Sequence, residues 1–380
     1  MDDRAYIRKE AEILYNYIIE DKEKFDNKKQ VYGRIVSSIK EIVKCQIGGI
    51  EELEISLEEV KEIIKDIVDN NPKQIEISKE MKGDTKVKTI GFIGIGVMGK
   101  SMVRNLMKKG FDVSIYTRTK EKAMDIIEEG ANWCNSVKEC VKDKDVIITI
   151  VGYPKDVEEV YFGKDGILEN SKMESCVIDM TTTSPKLSVK IYEEAKKRNI
   201  YALDAPVSGG DSGAKNGTLS IMVGGDKEIF EKCKDVLSSM GTNIIYEGKA
   251  GNGQHTKMAN QIALAGVIAG VCEAINYSKG VGLDVQTMLD SISQGAAGSW
   301  QMSNMAPRIL NGDFNPGFYI KHFIKDMNLA MEESNDVSLN LGVLNKVLEM
   351  YKTLDENDLG DLGTQALIKY YDDYSNKIGK

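Results

Sequence analysis

The chain has 380 residues, of which 42% are hydrophobic, and a formal net charge of -9 at pH 7. This length and composition predict a globular protein of two or three domains. The negative charge argues against general binding to nucleic acids or acidic membranes, so small molecules are the expected partners.

The six cysteines and two histidines show no spacing typical of a metal site, and no CxxC pair occurs. We therefore expect neither a bound metal nor a disulfide framework, which favours a reducing, cytoplasmic location. The first ten residues are too charged for a signal peptide. The most apolar segment without charge, residues 258–272, is short for a membrane-spanning helix, so no membrane crossing is expected.

Residues 1 to about 71 carry apolar residues at helical spacing in three segments, which predicts a small helical extension. Ser56 and Glu59 form a capping-box pattern before the third segment, and Asn70-Asn71-Pro72 is a stop signal. We assign residues 1–83 to this extension and its lysine-rich linker. A bundle that packs on its own enzyme or on a second subunit is favoured over a separate activity. The apolar positions are Ile7, Ala11, Leu14 and Ile18, then Val31, Ile35, Ile39 and Ile42, then Val60, Ile64 and Ile67.

An apolar strand pattern at Thr89–Ile95 runs into glycines at positions 94, 96 and 99 and then into a helical pattern. This is the arrangement of a dinucleotide-binding turn. The first glycine allows the tight turn, the second lets the backbone approach a pyrophosphate, and the third allows close packing of strand and helix. The free N–H groups of the helix N-terminus favour phosphate. We therefore predict cofactor contacts from five consecutive residues, Gly94, Ile95, Gly96, Val97 and Met98.

The second predicted strand ends in Thr117-Arg118-Thr119, where an NAD-binding protein usually places an acidic residue to hold the ribose 2′-hydroxyl. No acid is present there. Arg118, the hydroxyls of Thr117 and Thr119, and Lys122 suit a 2′-phosphate instead. The pattern predicts a preference for NADP(H), with NAD(H) as the alternative, although a solvated arginine at a strand end would give the same sequence.

Strand and helix patterns alternate from residue 88 to about 248, which predicts a doubly wound parallel sheet with a mixed edge. An almost wholly apolar helix then follows from about Gly253 to Lys279, and we expect it to be buried on nearly every side. The predicted fold class is α/β, with a Rossmann-type NADP-binding domain at residues 84–248 and an all-α C-terminal domain at residues 249–380, preceded by the helical extension. The predicted strands are Thr89–Ile95, Asp112–Tyr116, Val146–Val151, Val177–Met180, Tyr201–Ala205, Leu219–Val223 and Ile244–Tyr246.

The start of that apolar helix carries the candidate catalytic residues, Lys257 and Asn260, three positions apart on one helix face. A buried ammonium has a lowered pKa and can exchange a proton near neutral pH, while an asparagine can orient an oxygen without adding charge. Taken alone, Lys257 would be read as a helix-end lysine that reaches water. The loop Ser208-Gly209-Gly210, after a predicted strand, adds a hydroxyl and exposed N–H groups that can hold a carboxylate.

Across residues 88 to 376 the chain resembles the β-hydroxyacid dehydrogenase family. This family includes 3-hydroxyisobutyrate dehydrogenase, tartronate semialdehyde reductase and the glyoxylate/succinic semialdehyde reductases. The resemblance rests on four blocks, which are GFIGIGVMG at 91–99, DAPVSGG at 204–210, GNGQHTKMAN at 251–260 and KDMNL at 325–329.

The resemblance implies that Lys257 is the general acid/base and that Asn260 and the Ser208–Gly210 loop hold the substrate. It implies that Lys325 closes over the site beside the nicotinamide. It further implies cofactor contacts from Val151 and Thr182, and walls of the substrate pocket from Gly298–Gln301 and Phe314–Phe318. Thr117 departs from the family pattern, in which NADP-preferring members more often have asparagine. With a lysine placed for proton transfer, His255 and His322 are interpreted as structural.

These patterns predict an NADP(H)-preferring enzyme that interconverts a short β- or γ-hydroxy acid and its semialdehyde, assembled as a homo-oligomer, a dimer or tetramer. Decarboxylating 6-phosphogluconate dehydrogenases would need a larger helical domain and more phosphate-binding bases. Imine reductases usually carry a different residue at position 257. The alternative from another class is an NADP(H)-binding scaffold or sensor whose N-terminal helices dock a partner, against which the intact Lys257, Asn260 and Ser208 argue.

Overall fold

A computed structural model of the protein describes residues 2–20, 33, 35–40, 42–43, 56–70, 87 and 89–374. By its internal contacts the chain divides into two compact units, Met1–Lys86 and Val87–Lys380.

The first unit contains helices α1 (Asp3–Glu20) and α2 (Leu57–Asn70), and residues 35–40 are also helical. The predicted capping box is confirmed, because the Glu59 backbone N–H donates to Ser56 Oγ at 3.3 Å and the Ser56 N–H donates to the Glu59 carboxylate at 2.9 Å. Helix α2 ends at the predicted stop. Apolar side chains from all three helical segments form one buried cluster, made of Ile7, Ala11, Tyr15, Ile35, Ile39, Val43, Val60, Ile64, Ile67 and Val68.

Most predicted core positions of this unit lie in that cluster, but Val43 takes a buried position where Ile42 was expected, and Ile42 is only partly buried. A helix repeats every 3.6 residues, so either a three- or a four-residue step can follow Ile39, and here the four-residue step to Val43 faces the cluster. Val31, the side chain of Ile18 and the predicted linker fall outside the described residues.

The second unit is built on a nine-stranded sheet in the order β3-β2-β1-β4-β5-β6-β8-β7, with β9 paired to β8. Strands β1 to β6 are mutually parallel, so their carboxyl ends meet at one edge, as in a Rossmann fold. The strands are β1 (Thr89–Ile93), β2 (Asp112–Tyr116), β3 (Asn132–Trp133), β4 (Val146–Thr149), β5 (Cys176–Asp179), β6 (Tyr201–Asp204), β7 (Val207–Ser208), β8 (Leu219–Gly225) and β9 (Gly241–Gly248).

All seven predicted strands are present, and the predicted mixed edge is confirmed by β8, which runs antiparallel to β6 and β7. Two strands of two residues each, β3 and β7, were not predicted, because so short a run has no readable alternation. Helices connect the strands, and their bounds are α3 (Val97–Lys108), α4 (Met124–Glu128), α5 (Val137–Val141), α6 (Pro154–Phe162), α7 (Ile167–Asn170), α8 (Pro185–Lys196), α9 (Gly210–Asn216), α10 (Lys227–Lys232) and α11 (Lys234–Leu237), with a 3₁₀ turn at Lys120–Ala123.

After the sheet, the described residues up to 374 form helices and turns, with one isolated bridge between Tyr319 and Gly363. The long helix α12 is their centre and packs against β8 and the helices that follow. These elements are α12 (Asn252–Val281), α13 (Val285–Ile292), α14 (Trp300–Asn304), α15 (Ala306–Leu310), α16 (Ile320–Asp336), α17 (Gly342–Asp355), a 3₁₀ turn at Thr364–Leu367 and a π-helical turn at Tyr370–Tyr374.

Helix α12 is not buried on nearly every side, so that expectation was wrong. Val267 is 37% exposed and Tyr277 is 68% exposed. They lie on an exposed strip that consists of Ala259, Ala263, Val267, Gly270 and Tyr277, with Glu273 at its edge. By length and composition alone α12 could also cross a membrane, a property that it shares with the core helices of many soluble proteins. Its packing against β8 places its other faces in the core.

Candidate active site

The glycine turn lies between β1 and α3, at the carboxyl edge of the sheet. Gly94 has φ +105°, and a Cβ there would lie 2.1 Å from the Ile150 carbonyl oxygen. A Cβ on Gly99 would lie 2.0 Å from the Gly94 carbonyl oxygen, so strand and helix can approach only because both residues lack a side chain. A Cβ on Gly96 would meet nothing within 4 Å. The turn is therefore tight on its protein side and open on its outer side, which fits a dinucleotide pyrophosphate.

The side chains around this turn divide by exposure. Ile95 is 1% exposed and belongs to the sheet core, so only its backbone is available to a ligand. Val97 is 48% exposed, and Met98 is partly buried against the same core. Of these three predicted contacts, Val97 presents the most side-chain surface.

Arg118 lies just beyond the end of β2, and its side chain is 77% exposed. Its guanidinium donates to Asp156 Oδ1 at 3.2 Å, a pairing that the sequence pattern did not reveal. Asp156 also caps helix α6 by accepting from the Tyr153 backbone N–H at 3.1 Å. Thr119 and Lys122 are exposed beside Arg118. The basic group therefore lies at the carboxyl edge of the sheet, next to the first turn of helix α6.

Val151 and Thr182 lie at the ends of adjacent strands, and hydrogen bonds link them to their surroundings. The Val151 backbone N–H donates to Thr181 Oγ1 at 3.0 Å. The Lys325 ammonium, on helix α16, donates to the Thr182 carbonyl oxygen. The structure therefore brings together three predicted cofactor contacts that are up to 174 positions apart in the sequence.

Asp204, the last residue of β6, joins the sheet to the start of α12. Its carboxylate accepts from the backbone N–H groups of Gly251 at 2.8 Å and Gln254 at 2.9 Å. The Gln254 side chain then spans to the turn after β5, accepting from Thr183 N–H at 3.0 Å and donating to the Thr181 carbonyl at 2.8 Å. Neither residue was singled out from the sequence, although both lie inside the family blocks. Together they fix the first turn of α12 against the strand ends.

Asp179 lies beside Asp204 across the β5–β6 pair. Thr149 Oγ1 and the Thr181 N–H both donate to Asp179 Oδ1, at 2.8 and 3.1 Å, while Oδ2 has no hydrogen-bond partner among the described residues. Burial raises the pKa of Asp179 from 3.8 to about 6. A small cavity of about 10 Å³, which Asp179 and Ser188 line, adjoins it.

Lys257 lies in the second turn of α12 and is 6% exposed. Burial lowers its pKa from 10.5 to about 8, the nearby carboxylate of Asp326 opposes this change, and the ammonium of Lys325 adds to it. A lysine of this kind is populated in both protonation states near neutral pH, which suits a general acid/base. Because Lys257 is buried, it is not a solvated helix-end lysine.

The other predicted substrate residues converge on the same place. Ser208 Oγ lies 3.5 Å from Asn260 Oδ1 and donates to it, so the loop after β6 reaches the face of α12 that carries Lys257. Asn260 Nδ2 donates to Gln261 Oε1 at 2.7 Å, and Gln261 Nε2 donates to Asp326 Oδ2 at 2.6 Å. Gln261 and Asp326 are fully buried and were not singled out from the sequence, because 65 positions separate them.

The residues predicted to form the walls of the substrate pocket differ in exposure and in packing. Trp300 begins α14 and is 59% exposed, so it is not a core aromatic. Phe318 packs on Phe323 with ring centroids 5.5 Å apart. His322 lies between the rings of Tyr153 and Tyr319, at 5.4 and 5.7 Å, and burial lowers its pKa. Their role as walls remains a prediction.

Two protein-family models match the chain. The NAD-binding domain of 6-phosphogluconate dehydrogenase matches residues 89–248, and the NAD-binding domain of NADP-dependent 3-hydroxyisobutyrate dehydrogenase matches residues 251–371. Both matches lie after the N-terminal extension.

Individual proteins match over three quarters of the chain. An uncharacterized oxidoreductase of Bacillus subtilis, YkwC, is 55% identical over 75% of this chain and 99% of its own length. The 2-hydroxy-3-oxopropionate reductase of Escherichia coli is 34% identical over 74% of this chain and 96% of its own length. A solved structure of the 3-hydroxyisobutyrate dehydrogenase of Mycobacterium tuberculosis with L-serine superposes with a TM-score of 0.69 at 29% identity, covering 75% of this chain and 99% of that one.

Proposed function

This chain belongs to the β-hydroxyacid dehydrogenase family of NAD(P)-dependent oxidoreductases, and we propose that it is an NADP(H)-preferring enzyme that interconverts a short β- or γ-hydroxy acid and its semialdehyde. The observation that carries this proposal is the buried Lys257, with a pKa of about 8, beside Asn260 and Ser208. One candidate substrate is 3-hydroxyisobutyrate. A second is the pair of glycerate and tartronate semialdehyde, and the remaining candidates are glyoxylate and succinic semialdehyde with their hydroxy acids.

The cofactor is proposed to lie along the carboxyl edge of the sheet. Gly94, Gly96 and the start of α3 would hold its pyrophosphate, because the turn is open on that side. Val151 and the Thr182 segment would line it, with Lys325 positioned by the Thr182 carbonyl. When bound, the nicotinamide supplies or accepts the hydride.

Lys257 is proposed to move the proton. In the reducing direction, its protonated form donates to the developing alkoxide, which stabilises that oxygen as charge accumulates. In the oxidising direction, its neutral form takes the hydroxyl proton. Burial among α12, α16 and the strand ends limits access of water and keeps both forms available near neutral pH.

A carboxylate on the substrate is proposed to be held by Asn260 and by the Ser208–Gly210 loop. Backbone N–H groups and an amide can bind an anion without adding a charge that would lower the pKa of Lys257 further. This arrangement fixes the distance between the carboxylate and the reacting carbon. It therefore favours short acids over long ones.

The proposed preference for NADP(H) rests on Arg118, with Thr119 and Lys122 beside it. A guanidinium can make paired hydrogen bonds to a phosphate. Asp156 pairs with Arg118 at the carboxyl edge of the sheet, on the side proposed for the cofactor.

We also propose that the enzyme is a homo-oligomer, because the exposed strip of α12 is apolar and nearly free of charge. In the most apolar 18-residue stretch of this helix, 39% of the residues are buried, so the majority reach the surface at least in part. Pairing of this strip with a second copy would remove Val267 and Tyr277 from water. Light scattering on the purified chain measures the oligomer directly, and a monomer would contradict the proposal.

The test of the function is oxidation of NADPH by the purified protein with glyoxylate, succinic, methylmalonic and tartronic semialdehydes, and with NADH in parallel. Turnover on one aldehyde that is faster with NADPH identifies the substrate and supports Arg118 as the reader of the 2′-phosphate. Binding of NADPH without turnover on any aldehyde would contradict the proposed substrate class and favour a scaffold or sensor.

A further inference from the structure

We propose that Asp326, acting through Gln261, is a positioning residue that determines which atoms of Asn260 and Ser208 face the substrate. This inference rests on the function proposed above, and it adds a specificity determinant to the site. It starts from a continuous chain of hydrogen bonds that leads from a buried carboxylate to the substrate-holding residues.

The chain has three links. Gln261 Nε2 donates to Asp326 Oδ2 at 2.6 Å, Asn260 Nδ2 donates to Gln261 Oε1 at 2.7 Å, and Ser208 Oγ donates to Asn260 Oδ1 at 3.5 Å. Gln261 is 0% exposed and Asp326 is 1% exposed, so water does not compete for the first link.

The order of donors in this chain follows from its charged end. A carboxylate can only accept, so Gln261 must turn its NH₂ group toward Asp326 and its carbonyl toward Asn260. Asn260 must then turn its NH₂ group toward Gln261 and its carbonyl toward Ser208. Without the carboxylate, each amide could rotate by half a turn and still make one hydrogen bond.

This order of donors and acceptors determines which Asn260 group faces the substrate. Asn260 uses one N–H on Gln261 and keeps the second as a donor, and its carbonyl is occupied by Ser208. A rotated Asn260 would instead present its carbonyl oxygen, which repels a carboxylate. Asp326 therefore keeps one Asn260 N–H available to an anion without touching that anion.

Two cations compensate the buried negative charge. The Lys325 ammonium lies 2.9 Å from Asp326 Oδ1, at an angle unsuited to a hydrogen bond, and Lys257 lies within electrostatic range. His322, on the same helix as Asp326, is a further titratable group within electrostatic range of this pair. The carboxylate thus has an electrostatic effect on Lys257 as well as its geometric effect on Asn260, and an experiment has to separate them.

The separating experiment compares Asp326→Asn, Gln261→Met and the double variant Gln261→Glu/Asp326→Asn with the wild-type enzyme. In either single variant the Asn260 side-chain amide is no longer held in one orientation. KM for the semialdehyde should therefore rise about tenfold, the loss expected for one hydrogen bond to a charged group. The double variant exchanges carboxylate and amide. The carboxylate that it introduces at position 261 again offers only acceptors to Asn260, so KM should return to within about threefold of the wild type. Asp336→Asn, an exposed position on the same helix, is the matched control.

In Gln261→Met the dissociation constant for NADPH should change less than about twofold, because neither Gln261 nor Asn260 belongs to the proposed cofactor site. Asp326→Asn also removes the charge beside Lys325, so its NADPH binding does not serve in this comparison. Unchanged KM in both single variants, or a double variant no better than Asp326→Asn, would overturn the inference. A shift of the pH profile alone would mean that Asp326 acts only by its charge on Lys257.

A readout without turnover keeps this inference distinct from the proposed function. In amide NMR spectra, the Gln261 side-chain protons should be shifted downfield and protected from exchange, and Asp326→Asn should abolish both effects. Absence of those signals in the wild type would overturn the inference whatever the enzyme does. A wild-type enzyme that shows them but reduces no semialdehyde would contradict the proposed function alone.

Discussion

The two ends of the proposed active site are built in different ways. At the cofactor end, the turn after β1 is made by backbone and by missing side chains, with Gly94 and Gly99 too close to carbonyl oxygens to carry a Cβ. At the substrate end, the site is made by side chains from distant elements, since Ser208, Lys257 and Asp326 come from β7, α12 and α16. The first is encoded in nine consecutive residues, 91–99, whereas the second exists only after the helices pack on the sheet.

This difference has consequences for substitution. At the cofactor end, adding a methyl group should damage the fold or the fit of the ligand. At the substrate end, removing a functional group should leave the fold intact and change chemistry or specificity. Four predictions test whether the two ends respond in these different ways.

The largest expected effect is at Lys257. Lys257→Ala removes the proposed general acid/base, so kcat should fall by roughly 10² to 10⁴. Binding of NADPH, measured by fluorescence, should be retained. Lys190→Ala, at an exposed lysine paired with Glu158, is the control and should keep full turnover. Turnover of Lys257→Ala close to that of the control would refute the assigned role.

A comparison of two glycines tests the cofactor end. In Gly94→Ala the new methyl group overlaps the Ile150 carbonyl and the residue keeps a φ that alanine disfavours, so the unfolding free energy should drop by about 4 kcal/mol. Gly96→Ala meets no protein atom. It should keep the melting temperature of the wild type and weaken NADPH binding. Equal melting temperatures for the two variants would show that the turn is not as tight as described.

The buried carboxylate of Asp179 makes stability depend on pH. Its pKa is raised by burial from 3.8 to about 6, so folding favours the protonated form, and the stability that this form contributes is lost as pH rises through 6. The difference corresponds to roughly 3 kcal/mol. Asp179→Asn should therefore gain stability relative to the wild type at pH 8 but not at pH 4.

Denaturant unfolding at the two pH values measures this gain, with the exposed Asp165→Asn as control. A constant difference between the Asp179 variant and the wild type across this range would contradict the raised pKa.

The smallest expected effect is at Arg118. Arg118→Gln should raise KM for NADPH about tenfold, because one charge-assisted contact to the 2′-phosphate is lost, and should leave KM for NADH nearly unchanged. Asp156→Asn keeps the arginine but removes its partner, so its effect on KM for NADPH should be smaller. An equal rise in KM for NADPH and NADH in Arg118→Gln would mean that the arginine binds a group other than the 2′-phosphate.

The sheet and the glycine turn could be predicted because each is carried by a local pattern of strand, turn or helix. Lys257 was singled out by the resemblance to the family, since its local pattern alone favours a helix-end lysine. The buried Gln261–Asp326 pair and the Arg118–Asp156 pair could not be predicted, since they depend on contacts between residues 65 and 38 positions apart. The exposed strip of α12 was missed for another reason. Small residues such as alanine and glycine count as apolar in a sequence pattern, although they occur both in the core and on the surface.

The pH dependence of kcat/KM in both directions tests the central claim most directly, which is that Lys257 transfers the proton. With NADPH and the semialdehyde, activity should fall as pH rises through the pKa of Lys257, about 8, because the protonated lysine is the acid. With NADP⁺ and the hydroxy acid, activity should rise through the same value. Two limbs of opposite slope with a shared midpoint would support the account, whereas limbs of the same slope, or a profile kept by Lys257→Ala, would contradict it.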